Sequence, residues 1–150
     1  MAPLYCLQVL RGLSTNNSLL SCNSGGGVDL FNQDDGSGRQ KWQLQLLNDK
    51  VFNIIVSGGT NPDKKYLSCA ADGNRVDLYS QDDGSGRQKW LFKAVPTNPL
   101  IPAYYQISPF AGVAGIKYLS CAVDGSVVDL FNQDDGSGRQ RWQLQGPAIS

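Results

Sequence analysis

The chain has 150 residues and contains no histidine and no glutamate; all 13 of its acidic residues are aspartates. Histidine-based triads, histidine metal centres and glutamate general acids are therefore excluded. Neither charge is in excess, since 13 basic residues balance the 13 acidic ones and the pI is near 6.1. A neutral chain lacks the electrostatic footprint of nucleic-acid binding, which rests on neutralising phosphates. Apolar runs are only a few residues long, far short of a membrane span, so no membrane insertion is expected. The N-terminal MAPLYCLQVLRGL has no cationic region before an apolar core and no clear cleavage site. It predicts a cytoplasmic protein without a signal peptide and leaves unconventional export open. The 4 cysteines show no close C-x-x-C spacing that would suggest zinc.

Repetition is what the chain does have. A fifteen-residue block reads VDLFNQDDGSGRQKW at Val28–Trp42, VDLYSQDDGSGRQKW at Val76–Trp90 and VDLFNQDDGSGRQRW at Val128–Trp142, with three varying positions. Copies stand roughly fifty residues apart, so the chain is one unit written three times, about 1–47, 48–99 and 100–150. Units of this length cannot bury a core alone and must pack on one another, here within a single domain covering 1–150. Any site built by one copy is then offered three times.

Each unit shows four short strand-like runs between turn residues and no helical period. The runs are Leu4–Leu10, Ser18–Cys22, Val28–Phe31 and Trp42–Leu46, then Val51–Val56, Tyr66–Cys69, Val76–Tyr79 and Trp90–Lys93. Tyr104–Ser108, Tyr118–Cys121, Val128–Phe131 and Trp142–Gln145 complete the set of twelve. Twelve short strands with threefold repetition predict an all-β β-trefoil, a six-stranded barrel capped by three hairpins. A propeller of three blades falls below the usual four to eight. Cys22, Cys69 and Cys121 share one repeat position and cannot pair two by two. Reduced, buried cysteines are expected there.

Period-two alternation turns Val28 and Leu30 inward and leaves Asp29 and Phe31 outward; the copies are Asp77 with Tyr79 and Asp129 with Phe131. A carboxylate beside an exposed ring, three times over, suits a ligand with hydroxyls and an apolar face. The alternative is a loop folded over the ring. QDDGSG reads as a tight self-capping loop. Its paired aspartates could suggest calcium, but the EF-hand spacing and its terminal glutamate are missing, so no metal is expected. Trp42, Trp90 and Trp142, one per unit, are read as core anchors, and Gln40, Gln88 and Gln140 as loop-bonding residues. Arg39, Arg87 and Arg139 offer a fixed guanidinium fork to ligand oxygens while pairing with the carboxylate; a plain Asp–Arg ion pair holding the loop is the alternative. The turn before each block holds Gly26 in the first unit, Gly73 and Asn74 in the second, and Gly125 and Ser126 in the third. Glycine there would let backbone N–H groups approach a ligand.

The three Q-x-W closures resemble those of the ricin-B-type β-trefoil lectins. The longer string DGSGRQ[KR]W is similar to the fungal subgroup that includes the LSL-type lectin modules and the galactose-binding lectins of bolete mushrooms. The resemblance covers the whole chain. It implies galactose or N-acetylgalactosamine bound at up to three shallow sites, without a cofactor. Carried over, the stacking ring matches Phe31, Tyr79 and Phe131, and the polar residue two before it matches Asp29, Asp77 and Asp129. Asn32 and Asn132, with Ser80 in the second unit, are further candidates. The strand aspartate frequent in ricin-type sites is Ser21, Ser68 or Ser120 here, so the outward aspartate of V-D-L takes its role. The function expected is a multivalent, non-catalytic, agglutinating lectin, as a monomer with three sites or a homodimer with six. A protease-inhibitor or other interaction module is the rival, and a glycosidase is disfavoured because identical constellations recur in triplicate.

Overall fold

A computed structural model describes residues 3–60, 63–95, 104–115 and 117–145. It contains twelve strands and, among the described residues, no helix. The first unit holds β1 (Leu4–Val9), β2 (Leu19–Cys22), β3 (Val28–Phe31) and β4 (Trp42–Asn48). The second holds β5 (Val51–Val56), β6 (Tyr66–Cys69), β7 (Val76–Tyr79) and β8 (Trp90–Val95). The third holds β9 (Tyr104–Pro109), β10 (Tyr118–Cys121), β11 (Val128–Phe131) and β12 (Trp142–Gln145). The boundary expected between residues 99 and 100 lies outside the described residues.

Strand pairing closes a ring. β1 pairs β4, β4 pairs β5, β5 pairs β8, β8 pairs β9, β9 pairs β12, and β12 returns to β1, every pair antiparallel. That is a six-stranded barrel without free edges, which removes the exposed strand that invites aggregation. The remaining strands form three hairpins, β2–β3, β6–β7 and β10–β11. This is the β-trefoil. β4 and β8 run two residues past their expected ends because each continues into a long hairpin with the next unit's first strand. The β4–β5 turn is tight enough that Asp49 takes a φ of +40°, a left-handed conformation that aspartate tolerates better than most residues.

The core gathers the inward residues of every hairpin: Leu20 with Leu30, Leu67 with Leu78, and Leu119 with Leu130. Val76 and Val128 are buried with them; Val28 packs at the margin, only half-buried. Each tryptophan opens a barrel strand and is fully buried. Its indole Nε1 donates to a carbonyl on the hairpin above: Trp42 to Leu20 at 2.9 Å, Trp90 to Leu67 at 2.8 Å, and Trp142 to Leu119 at 2.9 Å. A bulky apolar group thus fills the barrel while its single polar atom ties the cap to it. Cys22, Cys69 and Cys121 close β2, β6 and β10 as buried free thiols, and Cys6 is half-buried and free.

Candidate functional site

Hairpin register sets the site. Ser21 lies directly across from Asp29, Ser68 from Asp77 and Ser120 from Asp129, so each serine and aspartate share one face. The QDDGSG loop then folds back along that face. Gln40 Nε2 donates to Ser21 Oγ at 2.8 Å, while Gln40 Oε1 accepts from the Asp35 N–H at 3.1 Å. Gln88 and Gln140 make the same two bonds with Ser68 and Asp83, and with Ser120 and Asp135. One buried side chain therefore fastens each loop to its hairpin. Within the loop, Asp34 and Asp35 accept the N–H groups of Gly36 and Ser37. The loop caps itself, as its composition suggested.

In the first unit the result is an open cleft of about 310 Å³, lined among others by Asp29, Phe31, Arg39, Asp35, Asn23 and Ser24. The ring, the carboxylate and the guanidinium singled out from the sequence do line one concavity. The rings remain uncovered: Phe31 is 38%, Tyr79 43% and Phe131 39% exposed. Among the described residues no loop folds over them.

The arginine pairs with a loop aspartate rather than the V-D-L carboxylate, which is the loop-holding ion pair given above as the alternative. Arg39 Nη2 pairs with Asp35 at 3.4 Å, Arg87 with Asp83 at 3.7 Å and Arg139 with Asp135 at 3.7 Å. The loop's tight turn brings the residue four places earlier under the guanidinium, leaving the V-D-L aspartate to feel the arginine through its charge. Two carboxylates therefore line the first cleft, their acidities shifted in opposite directions. Burial pushes Asp29, Asp77 and Asp129 above the ordinary 3.8, opposed by Ser21 and Arg39 at the first, by Arg75, Lys64 and Arg87 at the second, and by Arg139 at the third. Hydrogen bonds from Ser37, Ser85 and Ser137 hold Asp35, Asp83 and Asp135 below that value. Burial also pushes the Cys22 thiol up to about 11 and those of Cys69 and Cys121 to about 12, which leaves no thiolate for chemistry at neutral pH.

Other expected site residues fall elsewhere. Gly26, Gly73 and Gly125 do not present N–H groups to a ligand: these donate to the carbonyls of Asn23, Ala70 and Ala122, closing the hairpin turn. The glycines are buried instead against the next unit, Gly26 on Lys64, Gly73 on Val113 and Lys117, and Gly125 on Asn17. Asn74 and Ser126 are exposed turn residues whose N–H groups donate to Asp72 and Asp124. Asn32 lines a separate cleft of about 430 Å³ beside Arg11 and Thr15, and Ser80 and Asn132 are exposed at the start of their loops. Ser21, Asn23, Ser24, Asp35 and Gln40 were not proposed for the site yet border it. For Asp35, the constant four-residue spacing from arginine was the available signal.

A joint between units also escaped the sequence. Gly59, Gly112 and Gly12 sit against the arginine stems of the preceding unit's block, where an added Cβ would come within 2.7 to 2.9 Å of Arg39, Arg87 and Arg139 Cγ. Arg39 Nη1 donates to Gly59 O at 3.3 Å, and Arg139 Nη1 to Gly12 O at 3.5 Å. One unit thus props the arginine of another. Gly59→Ala places a Cβ at a φ of +76° and 2.9 Å from Ser37 O. It should lower stability by about 1 kcal/mol or more and weaken the first cleft alone. A urea midpoint equal to wild type would contradict this.

Fold and site together define a β-trefoil with an open surface cleft in its first unit, whose ring, carboxylate and guanidinium recur in the other two units. Among solved structures the chain is similar to a designed three-fold symmetric protein, ThreeFoil, with 23% identity, a TM-score of 0.69, and 95% of this chain and 98% of that one covered. It is similar to part of an exo-β-1,3-galactanase from Clostridium thermocellum, with 19% identity, a TM-score of 0.67, and 97% of this chain over 30% of that one. A mosquitocidal holotoxin shares 17% identity at a TM-score of 0.72, with 97% of this chain over 17% of the toxin. These likenesses establish the fold. No protein-family model matches the sequence, and no curated protein does.

Proposed function

We propose that this protein is a multivalent, non-catalytic lectin of the fungal ricin-B-like kind. Its ligands are galactose- or N-acetylgalactosamine-bearing glycans and glycoproteins, and it agglutinates cells that display them. The observation that carries the reading is the first cleft, where the uncovered Phe31 ring, the Asp29 carboxylate and the Arg39 guanidinium line one concavity. Galactose fits such a surface, because its axial 4-hydroxyl leaves one face of C3–C5 bare. That face packs on the ring while the 3- and 4-hydroxyls bond the carboxylate and guanidinium. The galactanase among the structural neighbours acts on a galactose polymer, which agrees with a galactoside ligand. Three weak sites on one body raise apparent affinity for clustered glycans by roughly a hundredfold or more.

The split between Asp29 and Asp35 resembles the carboxylate pair of a glycosidase. Asp35, however, is already engaged by Arg39 and by the Ser37 N–H, in a loop written three times over. That supports binding over turnover. Release of the aryl group from an aryl β-galactoside would overturn the non-catalytic reading.

Calorimetric titration with lactose tests the proposal. Binding is expected at neutral pH with up to three equivalents. Because burial raises the three V-D-L aspartates above 3.8, they take up protons earlier than ordinary aspartates as pH falls. Lactose affinity should therefore decline on acidification before Asp35 and its copies titrate. The sign is opposite for the fold: carboxylates with raised values stabilise it on the acid side and lose that contribution as pH rises through them. A pH window in which binding weakens while stability does not is the expected signature.

A further inference from the structure

The three copies of the site residues differ in the charges around them. The residue before the V-D-L valine is Gly27 in the first unit, Arg75 in the second and Val127 in the third, each accepting the same turn hydrogen bond from Asn23, Ala70 or Ala122. Strand alternation sets Arg75 on the face of Asp77, and its Nε stands 4.0 Å from Asp77 Oδ2 with the side chain 75% exposed. Lys64 is a second cation acting on Asp77. Its stem is braced by the first hairpin, since a Cβ on Gly26 would lie 3.2 Å from Lys64 Cδ. Arg87 is the third. At Asp29 and Asp129 the cation that acts, among the described residues, is the block arginine. Two carboxylates accompany Asp77 in the second unit: Asp83, matched to Arg87, and Asp72, which accepts the Asn74 N–H. Both recur in the third unit as Asp135 and Asp124, so the second site differs from the third by its added cations.

We propose that the second site, built on Asp77, Tyr79 and Arg87, takes galactosides bearing an anionic substituent, a sulfate ester or a carboxylate, which Arg75 and Lys64 bind. The first and third sites take the neutral sugar. The inference rests on the carbohydrate reading above and names the ligand class of one of its sites. A guanidinium open to solvent presents a fork that fits either oxyanion, and an ammonium nearby adds charge without demanding geometry. With two cations beside it, Asp77 is also a poorer acceptor for a neutral sugar's hydroxyls than Asp29.

The test isolates the site. The double variant Asp29→Ala/Asp129→Ala retains the second site's residues, and Asp77→Ala retains those of the other two. Each is titrated with methyl β-galactoside, its 6-O-sulfate, and a galactoside carrying sialic acid at O3. The double variant should bind at least one charged ligand roughly tenfold more tightly than the neutral one, with the ratio shrinking as salt rises. Preference for the sulfate alone, the sialoside alone, or both identifies which oxyanion the site accepts. Arg75→Val, which copies the third unit, should bring the ratio toward unity, and Val127→Arg should raise it at the third site. Equal affinities in the double variant, or a ratio untouched by Arg75→Val in a protein of unchanged circular dichroism, would overturn the inference and leave the lectin reading standing. Silence of every variant toward every sugar would overturn both.

Discussion

Replacing Asp29, Asp77 and Asp129 together by alanine should abolish sugar binding and leave the protein as stable as before, or more so. In the proposed sites each carboxylate would supply charge-assisted bonds to sugar hydroxyls, and losing them would weaken a site by roughly ten- to hundredfold. The proposed agglutination would suffer more, because crosslinking needs several sites occupied at once. Stability moves the other way. Burial raises all three carboxyls in the sugar-free protein, so their ionised forms at neutral pH work against the fold. Residues kept at a cost to stability are typical of binding surfaces. Lactose calorimetry and thermal melting on the same samples check both halves. Normal lactose binding would remove the aspartates from the site; a large drop in melting temperature would make them structural.

The second large effect is in the core. Trp42→Ala should cost about 3–5 kcal/mol, a large share of the roughly 5–15 kcal/mol that holds a domain together. The ring is fully buried, and its loss also strands the Leu20 carbonyl it bonds at 2.9 Å. Trp90→Ala and Trp142→Ala should cost similar amounts, since both repeat the burial and the bond. Leu20 lies on the hairpin and Ser21 beside it holds Gln40, so sugar affinity should fall with stability. Urea unfolding of the three variants provides the measurement. A cost under about 1 kcal/mol for any of them would mean that its indole does not anchor the cap.

Much of this was legible in the sequence because it is local. Alternation in VDLF placed Leu30 inside and Phe31 outside, and the strand pattern located all twelve strands. The burial of Trp42 and of Cys22 also followed from their recurrence. What was not legible depends on partners distant in the chain. Arg39 was matched to Asp29, but the loop's path put Asp35 beneath it. Gly26 reads in sequence as a ligand-facing turn residue, but the second unit's Lys64 packs against it. Asn32 sits next to Phe31 in sequence yet faces a different cleft.

By itself, the sequence determined that three copies of one unit build an all-β body and present a ring, a carboxylate and a guanidinium in triplicate. It could do so because strand periodicity and repetition are properties of neighbours along the chain. Only tertiary structure decided which loop props which arginine, which glycines are buried, and that the charges of Arg75 and Lys64 both bear on Asp77. Barrel closure brings each unit against the next, and side chains from different units share a site only once that closure is made.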